Sequence, residues 1–269
     1  MPVASSLAEL RSQIESDLRG RVLSPFNYRD RNVFDLVSTG IPEMDARVGG
    51  LPRGAMTEIC GQPCSGRTSI LLSALAARTS EGEVCALVDA RDSFHPATAH
   101  SLGVQLDRLL WVRCQNVDQS LRATDLLIQS GGFGIVAVDL SDVSARLARQ
   151  VPLHVWFRFR RAVEDTSTIL LVLEQETNAK TCASLVLRLE AGPPLWSITM
   201  PSFEDRVTAT KPKENTEPCP HARLRQGFKI ETEVVRSRIQ IENDLDSENH
   251  SEISNRAPLV ILKRSDKDR

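Results

Sequence analysis

Short apolar runs recur along the middle of the chain, separated by segments whose apolar residues return every three or four positions. AMTEIC (55–60), VCALVDA (84–90), LLWVRC (109–114), GIVAVDL (134–140) and TILLVLEQ (168–175) read as strands. SILLSALAAR, ATAHSLGV (97–104), SLRATDLLIQSG and most of VSARLARQVPLHVWFRFRRAVED read as the helices between them. Near-continuous apolar strands alternating with helices are what a parallel sheet covered on both faces requires, so the predicted fold class is α/β. After Ser184 the rhythm changes: SLVLRLEA, LWSITMP and GFKIETEVV have strand character with no helix between them. The sheet is therefore expected to end in antiparallel strands, with KPKENTEPCPH (211–221) as a connecting loop.

The two ends of the chain follow different rules. Leu7, Leu10, Ile14 and Leu18 fall on one helical face, which predicts an amphipathic helix ending near Gly20 whose stripe needs a partner. VLSPFNYRDRNVFD, with Pro25, reads as a linker or extended arm. IENDLDSENHSEISNRA and the terminal KRSDKDR carry too little apolar surface to offset the entropy of ordering them, so disorder is expected there. The expected division is an N-terminal helix and linker at 1–33, a core domain at 34–238 and a disordered charged tail at 239–269.

Charge narrows the functional classes. A formal net charge of -2 and a pI near 6.2 exclude a protein that holds nucleic acid by bulk positive charge, so DNA contact has to be local or borrowed from a partner. Aromatic residues make up 4% of the chain, which leaves little material for stacking on single strands. HVWFRFRRAVED (154–165) interleaves aromatics with Arg158, Arg160 and Arg161, but Leu153, Trp156, Phe157 and Phe159 are expected to pack on the sheet with the arginines solvated. The six cysteines form no CxxC pair and the start of the chain has no signal-peptide pattern, so reduced thiols and a cytoplasmic location are expected. No apolar run approaches the roughly 20 residues that cross a bilayer, and the histidines show no metal-ligand spacing.

The chemistry is concentrated in one loop. Gly61, Gln62, Pro63, Cys64, Ser65, Gly66, Arg67 and Thr68, followed by Ser69, lie directly after a strand and directly before a helix. A loop of this kind holds an anion with its backbone N–H groups and the helix N-terminus, and glycine allows the close approach. The pattern G-x-x-x-x-G-K-[ST] is broken at Arg67, a wide planar fork in place of a compact ammonium. Thr68 keeps the hydroxyl that ligates Mg²⁺, and Asp139, ending the apolar strand 135–138, is the second candidate metal-facing group. A plain strand-to-helix turn has the same glycines, and Asp139 is also what a routine strand end carries.

STGIPEMDARVGGLPRGAMTEICGQPCSGRTS resembles the opening of the RecA core, and the likeness continues through CALVDARDSFHPATAHSLGVQLDRLLW, IVAVDL and LLVLEQ, over about residues 34–190. The resemblance implies a RecA-like P-loop NTPase core, ATP and Mg²⁺ as the ligands, and Gln175 as the phosphate sensor. Within that superfamily the chain resembles the ImuA group, RecA-like partners of mutagenic translesion synthesis. The departures matter as much. Arg91 stands where the family's water-aligning glutamate belongs, with Asp92 beside it as a poor substitute. The segments that would be DNA-contacting loops, LSDV after Asp139 and ETNAKTCAS after Gln175, are short.

The expectation is a non-catalytic or weakly catalytic accessory of the DNA-damage (SOS) response that binds ATP and Mg²⁺ weakly or not at all. Its stripe Leu7, Leu10, Ile14 and Leu18 would dock on RecA or on a Y-family polymerase-like partner. An active DNA-dependent ATPase that tolerates Arg67, and a scaffold unrelated to DNA, are the alternatives.

Overall fold

The computed structural model describes residues 34–196, 225–239 and 256–261. The described chain opens on a small antiparallel ribbon, β1 (Leu36–Val37) with β2 (Leu51–Pro52), which encloses helix α1 (Pro42–Val48). The STG…D part of the sequence is a structural knot. The Asp45 carboxylate accepts from the Ser38 hydroxyl at 2.5 Å, the Thr39 amide at 2.8 Å and the Thr39 hydroxyl at 2.7 Å, fixing the turn that leads into α1.

Strand and helix then alternate as the pattern predicts: β3 (Met56–Gly61), α2 (Arg67–Ser80), β4 (Cys85–Asp89), α3 (Pro96–Ser101), β5 (Leu109–Arg113), α4 (Val117–Ser130), β6 (Ile135–Asp139), α5 (Ala145–Ala148), α6 (Leu153–Val163) and β7 (Ile169–Glu174). A 3-10 turn (Lys180–Cys182) leads to β8 (Leu185–Trp196), followed by β9 (Arg225–Ser237) and β10 (Arg256–Ile261). The main sheet has the order β10-β9-β8-β3-β7-β6-β4-β5. All pairs from β8 to β5 are parallel, and β8–β9 and β9–β10 are antiparallel. The architecture is thus α/β, with a mostly parallel sheet that ends in antiparallel strands.

Two apolar cores cover the sheet, as its doubly apolar strands demand. On one face Ile59, Leu87, Ala137, Leu171 and Leu187 pack against Met44 and Val48 of α1 and Ile70, Leu71 and Leu75 of α2. On the other, Met56, Val136, Val138, Leu170, Val172 and Val186 meet Leu121 and Ile128 of α4 and Trp156, Phe159 and Val163 of α6. The Trp156 and Phe159 rings meet edge to face at 6.1 Å.

Two expectations are corrected. Leu153 and Phe157 do not pack on the sheet; they are 37% and 45% exposed, because α6 turns the arc carrying Val155, Trp156, Phe159 and Val163 inward and these two positions lie off that arc. Residues 256–261 fall in the tail expected to lack order, yet they form β10, where the edge of β9 supplies ladder partners to an apolar run bounded by polar sequence. The stripe Leu7, Leu10, Ile14 and Leu18 and the loop 211–221 lie outside the described residues. Among the described residues no helix is long and apolar enough to cross a membrane.

Candidate nucleotide site

The loop between β3 and α2 sits at the carboxyl edge of the parallel sheet, flanked by the end of β7 and the middle of β8. Gly61 has no room for a side chain: a Cβ there would stand 2.5 Å from both the Leu189 carbonyl and the Ser65 hydroxyl. Gly66 takes the left-handed conformation (φ 97°) and is the N-cap of α2, which no side chain caps and whose first turn carries no acid. Gln62, Pro63 and Cys64 face solvent, whereas the Ser65 hydroxyl is buried and has no hydrogen-bond partner. An uncapped helix N-terminus, a close-approach glycine and an unpartnered buried hydroxyl fit a phosphate-type anion.

Arg67 behaves unlike a phosphate-clamping lysine. Its side chain is 6% exposed, and Nη1 donates to the Glu174 carbonyl at the end of β7 at 2.7 Å. Burial lowers its pKa from the ordinary arginine value, against the opposing pull of Asp139 and Asp142. Thr68 is exposed and Ser69 partly covered on the first turn of α2. The Asp139 carboxylate accepts from the Ser141 amide at 2.9 Å, and its pKa is raised by burial, with Asp89 and Asp142 adding to the rise. Gln175 Nε2 donates to the Ser141 carbonyl at 3.1 Å, so one residue ties the sensor position to the strand end bearing Asp139. The structure therefore gathers Arg67, Asp139 and Gln175 at one edge of the sheet, with Arg67 already bound to protein.

The turn after β4 is similarly committed. Asp89, 1% exposed, accepts from the Arg91 and Phe94 amides at 3.1 and 2.9 Å and from the Trp111 indole at 3.3 Å. Arg91 is exposed. Asp92, in the left-handed region (φ 58°), pairs bidentately with Arg113, which holds its carboxyl below the ordinary aspartate value. Arg113 in turn lies 5.1 Å from the centre of the Trp111 ring.

A buried acidic pair went unnoticed in the sequence. Glu58 and Glu174 are both 0% exposed. Glu58 Oε1 accepts from the Asn178 and Ala179 amides at 2.6 and 3.1 Å, and the Asn178 side-chain amide donates to Glu174 Oε2. Burial raises both carboxyls, Glu174 to about 8. The available signal was a glutamate inside each of two strands apolar on both faces. Segment 175–177 also lines a cavity of about 380 Å³, together with Gln62 and Arg188. Among the described residues no group of three or more His, Cys, Asp or Glu is placed to hold a metal ion.

The RecA N-terminal domain family matches residues 6–150 of the chain. Protein RecA of Psychrobacter cryohalolentis is 41% identical over 107 residues, 39% of this chain and 30% of that protein. Protein RecA of Psychrobacter arcticus is 40% identical over 107 residues, with the same coverage of both chains. The match thus spans about 30% of the length of these relatives.

Proposed function

We propose, from the premise that this chain belongs to the RecA N-terminal domain family, that it is a RecA-like accessory of the DNA-damage response, with weak or no ATP hydrolysis of its own. The observation that carries the reading is the buried Arg67 guanidinium, which spends a donor on the Glu174 carbonyl instead of presenting a free ammonium to a terminal phosphate. The loop backbone and the uncapped start of α2 still suit an anion, so ATP would be held there by Gly61–Ser69, and Thr68 and Asp139 would be the residues to hold Mg²⁺. Bound Mg²⁺ would screen phosphate charge. Gln175, tied to Ser141, would report occupancy from the end of β7.

The finer placement is in the ImuA group, with translesion synthesis as the setting and RecA or a Y-family polymerase-like protein as the partner. The short connections after β6 and β7 support an adaptor over a recombinase: five residues, 140–144, precede α5, and ten, 175–184, precede β8. Contact with DNA is then weak or indirect. Deleting residues 1–24 tests the partner surface Leu7, Leu10, Ile14 and Leu18. The core is expected to keep its unfolding midpoint while capture of RecA or of the polymerase partner on a sensor surface falls at least tenfold, since each fully buried leucine is worth about 1.5–3 kcal/mol. Undiminished capture, or an unfolded core, rules the stripe out as the docking arm.

Nucleotide affinity is expected to be weak and to need Mg²⁺. Calorimetry with ATP should show binding that weakens when Mg²⁺ is removed or when Thr68→Ala is introduced. Tight binding indifferent to both changes would place the nucleotide elsewhere.

A further inference from the structure

We propose that Glu58 and Glu174 form a one-proton latch that holds segment 175–179 closed beside the phosphate loop, and that loss of this proton opens it. The inference is independent of the functional reading above. Both side chains project from the α4–α6 face of the sheet, as the alternation of Met56 on β3 and Leu170 and Val172 on β7 requires. The register, Glu58 beside Val172 and Cys60 beside Glu174, makes them diagonal neighbours on adjacent strands. A single residue lies against both: Asn178 gives its main-chain N–H to Glu58 and its side-chain amide to Glu174.

The hydrogen-bond inventory is incomplete by two acceptors. Glu58 Oε2 and Glu174 Oε1 are buried and have no partner. A buried carboxylate oxygen without a donor is costly, and two adjacent buried carboxylates cannot both stay ionised at neutral pH. One proton on Glu174 leaves a single negative charge, on Glu58, which the Asn178 and Ala179 amides stabilise. The elevated pKa of Glu174 agrees with this arrangement.

The surrounding charges do not supply a substitute for the proton. Arg236 on β9 favours ionised Glu58 from a distance, but its guanidinium is bonded to the Lys180 carbonyl. Cys60, in the same row, is neutral, its thiol pushed up to about 11 by burial, and it is flanked on β8 by Arg188, which is paired with Glu233. Cys182 below the segment is likewise raised by burial and lies near Arg160 and Arg238. Arg67 binds the main-chain carbonyl of Glu174 and not its carboxyl. When that proton leaves, repulsion therefore falls on the segment held by the pair. Residues 175–177 line the same cavity as Gln62, so release of the latch reshapes that cavity.

Amide hydrogen exchange of the full chain, read by mass spectrometry at about pH 6 and about pH 9 and corrected for intrinsic exchange chemistry, tests the latch. Protection of peptides covering 175–182 is expected to fall on the order of tenfold or more relative to the β6 reference at the higher pH. Glu174→Gln, which keeps a donor and an acceptor without a titrating proton, is expected to abolish the fall, and Glu58→Gln, which removes the neighbouring charge, to lessen it. Equal protection of the wild-type segment at the two pH values overturns the proposal. So does a wild-type fall that persists undiminished in Glu174→Gln. A merely structural role for the pair would lower protection in the variants at both pH values and leave the pH response intact.

Discussion

Purified chain is expected to turn over ATP on the order of 10²–10⁴-fold more slowly than a working ATPase of the same fold, the usual contribution of a positioned general base. The turn after β4, where the family's water-aligning glutamate belongs, offers no free carboxylate. Arg91 is a cation in solvent, Asp89 is saturated by two amides and the Trp111 indole, and Asp92 is locked outward in its pair with Arg113. The loop itself lacks a lysine, and Arg67 is held at Glu174. Replacing Arg67 with alanine should therefore change turnover little while lowering stability, because it strips a buried carbonyl of its donor at a cost of about 1–3 kcal/mol. A coupled phosphate-release assay on the two proteins decides the matter. Wild-type turnover in the ordinary enzyme range of about 1–10³ s⁻¹, abolished by Arg67→Ala, would sink the accessory reading.

The second large effect concerns stability. Glu174→Gln is expected to make the protein more stable than wild type at pH 8, by an amount that vanishes toward pH 4. Glu174 titrates at about 8 in the folded chain against an ordinary value of 4.5, raised mainly by burial. Between those values the folded protein retains a proton that the unfolded chain has lost. The stability that this proton brings is complete below pH 4.5 and is lost as pH rises to about 8, at up to about 1.4 kcal/mol per pH unit. Glutamine has no proton to lose and places no charge in the buried site. Urea unfolding of both proteins across about pH 5 to 9 should give curves that diverge upward with pH. Parallel curves would show that Glu174 is ionised in the folded state throughout.

Much of this molecule is readable from residue pattern. The five parallel strands whose apolar cores were picked out in order, from 55–60 to 168–175, are each displaced by at most a residue or two in the fold, because strands buried on both faces leave an unbroken apolar signal. The loop Gly61–Thr68 was equally plain from its position between strand and helix. What the pattern does not carry is reach. Arg67 meets a carbonyl 107 positions away, and nothing in GRTS announces that its partner is a backbone atom. Glu58 and Glu174 look like ordinary polar interruptions until the parallel register sets them diagonally. Leu153 and Phe157 were misplaced because apolar character alone does not fix the inward arc of a short helix. β10 was missed because an edge pairing depends on a strand elsewhere in the chain.

The central position of β3 also governs how the molecule is assembled. β3 has no sheet neighbour near it in sequence: its partners are β7 and β8, which begin at Ile169 and Leu185. As the chain leaves the ribosome, at about 5–20 residues per second, the strand that leads into the candidate nucleotide loop waits for more than a hundred residues before either edge can be paired. Such long-range parallel pairing closes slowly, since large loops lose entropy before they gain contacts. The β3–α2 loop is consequently among the last parts of the fold to acquire its shape. A nascent or truncated chain that ends before β7 presents β3 as an unpaired apolar strand, a target for chaperones or for aggregation.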